Sequence, residues 1–439
     1  MIRSHEQLLS TLDRFPCARP FGYVVQLLGM LVEIAGLEGQ LSVGDRCLLG
    51  EGSLAEIVGF RQRRALALAY DSLEGIALHS RAYPAKGSSV VRPSPEWLGR
   101  CVDAYGHPAD GRGPLKEGSR DFSLRQSPPP AHARQRLGPR IDLGVRAMNL
   151  FTTCCRGQRL GLFAASGIGK SVLMAMMARN SASDVNVIGL IGERGREVQE
   201  FLQDELGPEG LAKSVTVIAT SDESALARRQ AALLTMALAE YFRDEGRDVL
   251  LMMDSVTRYA MAMREIGLAV GEPPTAKGYT PSVFAELPKL LERAGPSKGR
   301  GSITGIFTVL VEGDDHDEPI ADAVRGILDG HVVLERQIAE RGRYPAINVL
   351  RSLSRSMPGC NTNEENTLVS TARRYLAAYA NMEELIRLGA YKKGSDALTD
   401  KAIDLYPALD GLLAQNRTEA ADLQQSYACL RKILEEVLE

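Results

Sequence analysis

From about residue 140 to 356, nearly unbroken apolar runs alternate with mixed stretches. The runs at 185–191, 215–219, 249–253 and 303–311 carry almost no polar residue. Strands buried on both faces of a parallel sheet read this way. Leu160-Gly161-Leu162-Phe163 is a shorter run of the same kind. Between most of them lie stretches with helical spacing, such as 223–242 and 172–178. The alternation predicts a doubly wound α/β core, whose ligands sit at the carboxyl ends of the strands.

The flanks have other textures. From 22 to about 92, short runs such as Tyr23-Val24-Val25 and Leu31-Val32-Glu33-Ile34 are punctuated by Gly36, Gly39, Gly44, Gly50, Gly52 and Gly59. Short strands with glycine turns predict a small β-barrel. The cluster Arg61-Gln62-Arg63-Arg64 reads as a solvated turn within it. Pro93, Pro95 and Ser127-Pro128-Pro129-Pro130 mark irregular wrapping segments. After residue 361 the period is helical throughout. Leu368, Tyr375, Tyr379 and Met382 form one stripe, and Tyr427, Leu430, Leu434 and Val437 another, predicting a helical bundle. Residues 1–15 read as a short amphipathic helix ended by Pro16 and Pro20, with Leu8, Leu9, Leu12 and Phe15 on one side. Its apolar face suits a partner, a membrane or, as the plainest option, its own fold. The expected divisions are a tail to residue 20, a barrel over 21–93, the core over 94–358 and helices over 359–439.

Composition narrows the function. A chain of 439 residues is too long for one compact domain. Its net charge of −3 and aromatic content of 5% argue against a protein devoted to nucleic acid. Seven cysteines without metal-type spacing, Cys154 and Cys155 adjacent, suit a reducing cytosol better than a disulfide framework. No apolar run approaches the roughly 18 residues of a membrane span, and no signal peptide is visible. A cytoplasmic protein, touching membranes only peripherally, is expected.

The chemistry centres on Ala164-Ala165-Ser166-Gly167-Ile168-Gly169-Lys170-Ser171 and the following Val172. A strand precedes this segment and a helix follows, the arrangement of a phosphate-binding loop. A helix start offers unpaired N–H groups and partial positive charge to phosphate. Glycines give the turn its freedom, Lys170 can reach the β- and γ-phosphates, and the Ser171 hydroxyl can ligate Mg²⁺. Alanines stand at 164 and 165, where glycine is common, and the methyl at 165 could crowd the loop. The competing reading is an ordinary strand–turn–helix with an exposed lysine.

Three further features fall at strand ends. The run 249–253 ends in Asp254, which suits a Mg²⁺ shell or the cap of the next helix. The run 188–191 leads into Gly192-Glu193-Arg194-Gly195-Arg196-Glu197. Glu193 could polarise an attacking water, or be a plain helix-start carboxylate; Arg194 could touch phosphate or pair with Glu197. The stretch Tyr344 to Arg355 offers an aromatic that could stack on a base and an arginine in a polar turn. Such an arginine, given by a neighbouring subunit, can stabilise phosphoryl transfer; otherwise it is a surface ion pair.

With these residues the chain resembles the rotary ATP synthase and type III secretion ATPase superfamily, and flagellar type III export ATPases in particular. The motifs carrying the likeness include Gly144-Val145-Arg146-Ala147, Gly157-Gln158-Arg159, Asp254-Ser255-Val256-Thr257-Arg258 and Pro345-Ala346-Ile347-Asn348 with Ser352-Leu353-Ser354. Residues 313–322, 325–331, 388–391 and 394–396 look flagellar. The resemblance implies a RecA-like P-loop core between an N-terminal barrel and a C-terminal helical domain. It implies ATP and Mg²⁺ as ligands, and a homohexamer with sites between subunits. On it, 165–172 cradle phosphate, Ser171 and Asp254 hold Mg²⁺, and Tyr344 stacks on adenine. Glu193 positions water, Arg194 lies near phosphate and Arg355 is a finger supplied in trans. It further implies a regulatory stalk protein on the N-terminal helix, a central coiled-coil export protein, a membrane export gate, and chaperones with their substrates. The location implied is cytoplasmic, peripheral to the inner membrane at the flagellar base. An injectisome ATPase, a non-catalytic rotary subunit and an RNA-translocating hexamer are the alternatives. Glu193 disfavours the second and the charge disfavours the third.

Overall fold

The computed structural model describes residues 20–85, 90–130, 132, 134–297, 299, 301–311 and 318–438. The expected helix over 1–15, the 313–317 part of one motif and the side chain of Val437 lie outside these. By contacts the chain divides into two compact units. One holds the barrel up to residue 89, with Ser224–Leu226 and Glu265–Pro273; the other is Val90–Glu223, Ala227–Arg264 and Pro274–Glu439.

The barrel is closed. Its strands run in the order Gly22–Leu28, Leu31–Ala35, Arg64–Ala69, Ser53–Arg61, Arg46–Leu49, Arg81–Ala85. Inward positions carry Val24, Val32, Ile34, Cys47, Leu49, Ala55, Ile57, Ala65 and Ala67. Gly22 is required by packing: a Cβ there would lie 2.4 Å from the Ala35 carbonyl oxygen. The basic cluster is a hairpin turn, with Gln62 and Arg63 at φ of 47° and 62°. Arg61 and Arg64 flank that turn and both bond Glu33, at 2.5 Å and 2.9 Å. Glu33 is itself only 5% exposed, which explains a carboxylate in an apolar strand.

The second unit is built on an eight-stranded sheet. Its order is Leu353–Ser354, Gly330–Val333, Arg159–Ala164, Ser302–Leu310, Asp248–Asp254, Val185–Glu193, Ser214–Thr220, Cys101–Val102. The six inner strands pair parallel to one another, and the Leu353–Ser354 edge is antiparallel. The long apolar runs are thus the central strands, with helices such as Lys170–Asn180 and Ala225–Asp244 between them. Between the proline-marked wrapping segments, Cys101–Val102 adds an edge strand beside Thr216 and Val217. Two residues are too few to carry a period.

Three helices, Asn363–Arg387, Ala397–Leu413 and Leu423–Leu438, complete the chain. Their inner faces join the same hydrophobic cluster as the strands and helix around the phosphate loop. The buried seam of the first is Val369, Ala372, Tyr375 and Leu376, while Leu368 and Tyr379 pack at its margin. Tyr379 stacks on Tyr406 at 3.6 Å.

One buried ion pair fixes the wrapping segment to the core. Arg293 donates Nε and Nη2 to the two Glu240 oxygens at 2.9 Å and 2.6 Å, and Nη1 to the Leu124 carbonyl at 2.9 Å. Both side chains are almost fully buried. Replacing Arg293 by Met would strand the carboxylate, at a cost of about 3–5 kcal/mol. Calorimetry should therefore show a lowered melting temperature for Arg293→Met, with much of the loss regained in Arg293→Met/Glu240→Leu. An unshifted single variant would refute this account of the pair.

Candidate nucleotide-binding site

Strand Arg159–Ala164 delivers the chain into a tight loop whose Gly167 and Gly169 have φ of 80° and 88°. Glycine enters that conformation without strain, so the turn itself dictates both residues. Ala164 and Ala165 have no positive φ and lie in the hydrophobic cluster, 1% and 6% exposed. The methyls substituting for glycine therefore meet no backbone constraint. Ile168 is buried, 2% exposed, in the same cluster. Helix Lys170–Asn180 starts on Gly169 with no side-chain cap. Its first N–H groups are left for an anion.

A cleft of about 790 Å³ opens over this loop. Ala165, Ser166, Gly167, Lys170, Ser171 and Val172 line one side, and Glu193, Arg194 and Arg258 another. Its size suits a nucleotide-sized ligand.

Sheet register brings the charged groups together. Leu190 pairs with Asp254, so the ends of strands Val185–Glu193 and Asp248–Asp254 lie side by side. Lys170 Nζ reaches Glu193 Oε1 at 3.2 Å and Asp254 Oδ1 at 2.5 Å. Burial alone would lower the Lys170 pKa, but the two carboxylates outweigh it and hold the ammonium above its ordinary value. Burial first, then the Asp254 charge, push the Glu193 carboxyl up to about 7 against the pull of Lys170. Asp254, 3% exposed, keeps Oδ2 without a hydrogen bond among the described residues. A carboxylate oxygen and the Ser171 hydroxyl beside a phosphate loop form a hard-oxygen donor set that fits Mg²⁺.

Tyr344 lies against the loop from the other side, where a Cβ on Gly169 would be 3.5 Å from the ring. Tyr344 is 48% exposed, so it is open to a ligand. Arg194 lines the cleft mouth but turns to Glu197, at 3.1 Å. Arg355 is not brought to this cleft. It follows the edge strand Leu353–Ser354, is exposed, and its guanidinium has no partner among the described residues.

Among the lining residues that escaped the sequence reading, Arg258 and Arg336 stand out. Arg258 stands on the first turn of helix Val256–Ala269, and its buried Nε has no partner among the described residues. Gly192, with φ of 72°, makes room for it: a Cβ there would lie 2.8 Å from Arg258 Cβ. The spacing Asp254-x-x-x-Arg258 was the available signal. Arg336 donates Nη2 to the Ser166 carbonyl at 3.4 Å; nothing in its local sequence points to the loop.

Comparisons with known proteins agree with this geometry. The ATP synthase alpha/beta family, nucleotide-binding domain, matches residues 144–354, and the T3SS EscN ATPase C-terminal domain matches 361–432. A flagellum-specific ATP synthase of Caulobacter vibrioides is 55% identical over 98% of this chain and 99% of its own length. A type 3 secretion system ATPase of Xanthomonas euvesicatoria is 44% identical over 99% of this chain and 100% of its own. The assembled ATPase EscN of the enteropathogenic E. coli type III secretion system superposes with a TM-score of 0.88 at 38% identity. That match covers 94% of this chain and 100% of EscN. The chain belongs to the flagellar and type III secretion ATPases of the ATP synthase alpha/beta family, and it is an ATP-hydrolysing enzyme.

Proposed function

We propose that this enzyme is the ATPase of a flagellar type III export apparatus, working at interfaces between copies of itself. The observation carrying this reading is the split of the machinery. One protomer gathers the loop, Lys170 and Glu193 in a cleft with Asp254 against Lys170, while Arg355 stands exposed outside it, its guanidinium without a partner among the described residues. Two copies meeting around one nucleotide would bring an arginine to each cleft.

In this reading the loop N–H groups and Lys170 grip the phosphates, with Arg258 supplying a further cation beside them. Ser171 and Asp254 would hold Mg²⁺, which when bound neutralises charge on the β- and γ-phosphates. Glu193 polarises water for in-line attack on the γ-phosphate; its carboxyl near 7 suits proton transfer near neutrality. Arg194, exposed at the mouth, swings from Glu197 towards phosphate, and the open face of Tyr344 takes the adenine. Arg355 of a neighbouring copy stabilises the transferring phosphoryl group.

The flagellar assignment is supported by flagellum-specific relatives at 42–55% identity over 93% or more of this chain. An injectisome ATPase is the near alternative, favoured by the EscN likeness. EscN was solved assembled and also with its central stalk EscO, which supports a ring of this chain on a coiled-coil stalk. A regulatory stalk protein on residues 1–15, an export gate, chaperones and substrates complete the proposed partners. No described helix is long and apolar enough to cross a membrane, in keeping with a cytoplasmic enzyme held peripherally at the flagellar base.

Two variants test the roles. Glu193→Gln should cut kcat by about 10²–10⁴ while nucleotide binding persists; hydrolysis at the wild-type rate would remove Glu193 from the mechanism. Arg355→Ala should lose about 10³-fold or more in kcat. Specific activity of the unaltered protein should climb with protein concentration, and a flat profile from dilute to concentrated enzyme would refute sites shared between copies.

A further inference from the structure

Strand Ser302–Leu310 is apolar through Ile306, Phe307 and Val309, yet carries a fully buried hydroxyl at Thr308. A buried hydroxyl without a partner would be costly. Thr308 Oγ1 lies 2.6 Å from Asp254 Oδ1 and 3.3 Å from the Met253 carbonyl. A hydroxyl donates a single proton, and the shorter contact is to a charged acceptor. The longer exceeds the usual O–H···O range, so the proton goes to Asp254.

Lys170 is the other donor to the same oxygen, at 2.5 Å. It cannot serve that carboxylate and a phosphate equally well. Once phosphate draws the ammonium away, Thr308 is the only remaining side-chain donor to Asp254 among the described residues. Both present contacts fall on Oδ1, leaving Oδ2 uncommitted.

We propose that Thr308 is a positioning residue of the ATPase site, holding Oδ1 so that Oδ2 of Asp254 stays available to Mg²⁺ whether or not Lys170 is engaged elsewhere. This rests on the reading of Asp254 as a Mg²⁺ ligand. Thr308 has the advantage of place. It sits on the strand between the loop strand and the Asp254 strand, where no ligand has to move it.

Calorimetric titration of the full chain with ADP, with Mg²⁺ and then with a chelator, separates the possibilities. The unaltered protein should bind ADP more tightly with Mg²⁺. Thr308→Val, close in shape but lacking the hydroxyl, should lose about 10–100-fold of that Mg²⁺-dependent gain, as supporting partners of metal ligands do. Its metal-free ADP affinity should be unchanged. Thr308→Ser should restore the gain, which a packing role would not predict. If Thr308→Val does not fold, Thr308→Ala carries the same comparison. A full Mg²⁺ gain in the variant lacking the hydroxyl overturns the positioning role alone. Absence of any gain in the unaltered protein, or its persistence in Asp254→Ala, overturns the Mg²⁺ assignment beneath it.

Discussion

One ammonium between two carboxylates constrains the whole site. Lys170 touches Glu193 and Asp254, which come from neighbouring strands and would otherwise repel one another in a sheltered place. Their side chains are 14% and 4% exposed, so little solvent screening is available. The trio exists because three strands end at one level. Strand Arg159–Ala164 launches the loop carrying Lys170, and the two others end in the acids. A slip of one residue in either pairing would turn an acid to the opposite face of the sheet. The sheet's apolar runs, and the cluster packed on them, are what hold that level.

The same trio sets the electrostatic need of the ligand. Its net charge is negative, and a triphosphate adds more. Cations must therefore come from elsewhere, and Arg194, Arg258, Arg264 and Arg336 line the same cleft. Arg258 is the most telling, since its buried Nε has no partner among the described residues. Burying an unpaired donor costs free energy, and an anion contacting it would recover that cost.

The central strands were legible in the sequence because parallel strands are buried on both faces, and Val187, Ile188, Leu250, Leu251 and Met252 are all fully enclosed. The loop was legible because Gly167 and Gly169 answer a backbone demand that no other residue meets cheaply. Short features were not. Cys101–Val102 is too short to show a period. The C-terminal stripe was displaced by a residue because its seam turns to Val369 and Leu376, with Leu368 left at the edge. Arg258 and Thr308 went unassigned for a shared reason. Each faces a group on another strand, Gly192 for Arg258 and Asp254 Oδ1 for Thr308, and only the Asp254-x-x-x-Arg258 spacing hinted at either. Arg355 was read as a finger from resemblance; only the fold reveals that its own cleft is served from other strands.

Tyr344 and Arg355 belong to one rigid stretch. Gln415 N donates to the Tyr344 carbonyl at 2.8 Å. The Gln415 side chain is in turn fixed by Arg146 N, at 2.8 Å, and by the Gly144 carbonyl, at 2.9 Å. Farther along, Ile347 and Val349 are buried, Ser352 accepts from Val333 N at 3.0 Å, and Ser354 donates to the Thr153 carbonyl at 2.8 Å. With its ends and middle pinned, the stretch has little freedom to flex. In the proposed ring, its first residue would sense the base in one cleft while its last reaches into the next. A shift at Tyr344 could then pass to Arg355 through packed atoms, without the barrel or a loop as intermediary. The helices after residue 363 hold the near end of this link, because Gln415 lies in their connector.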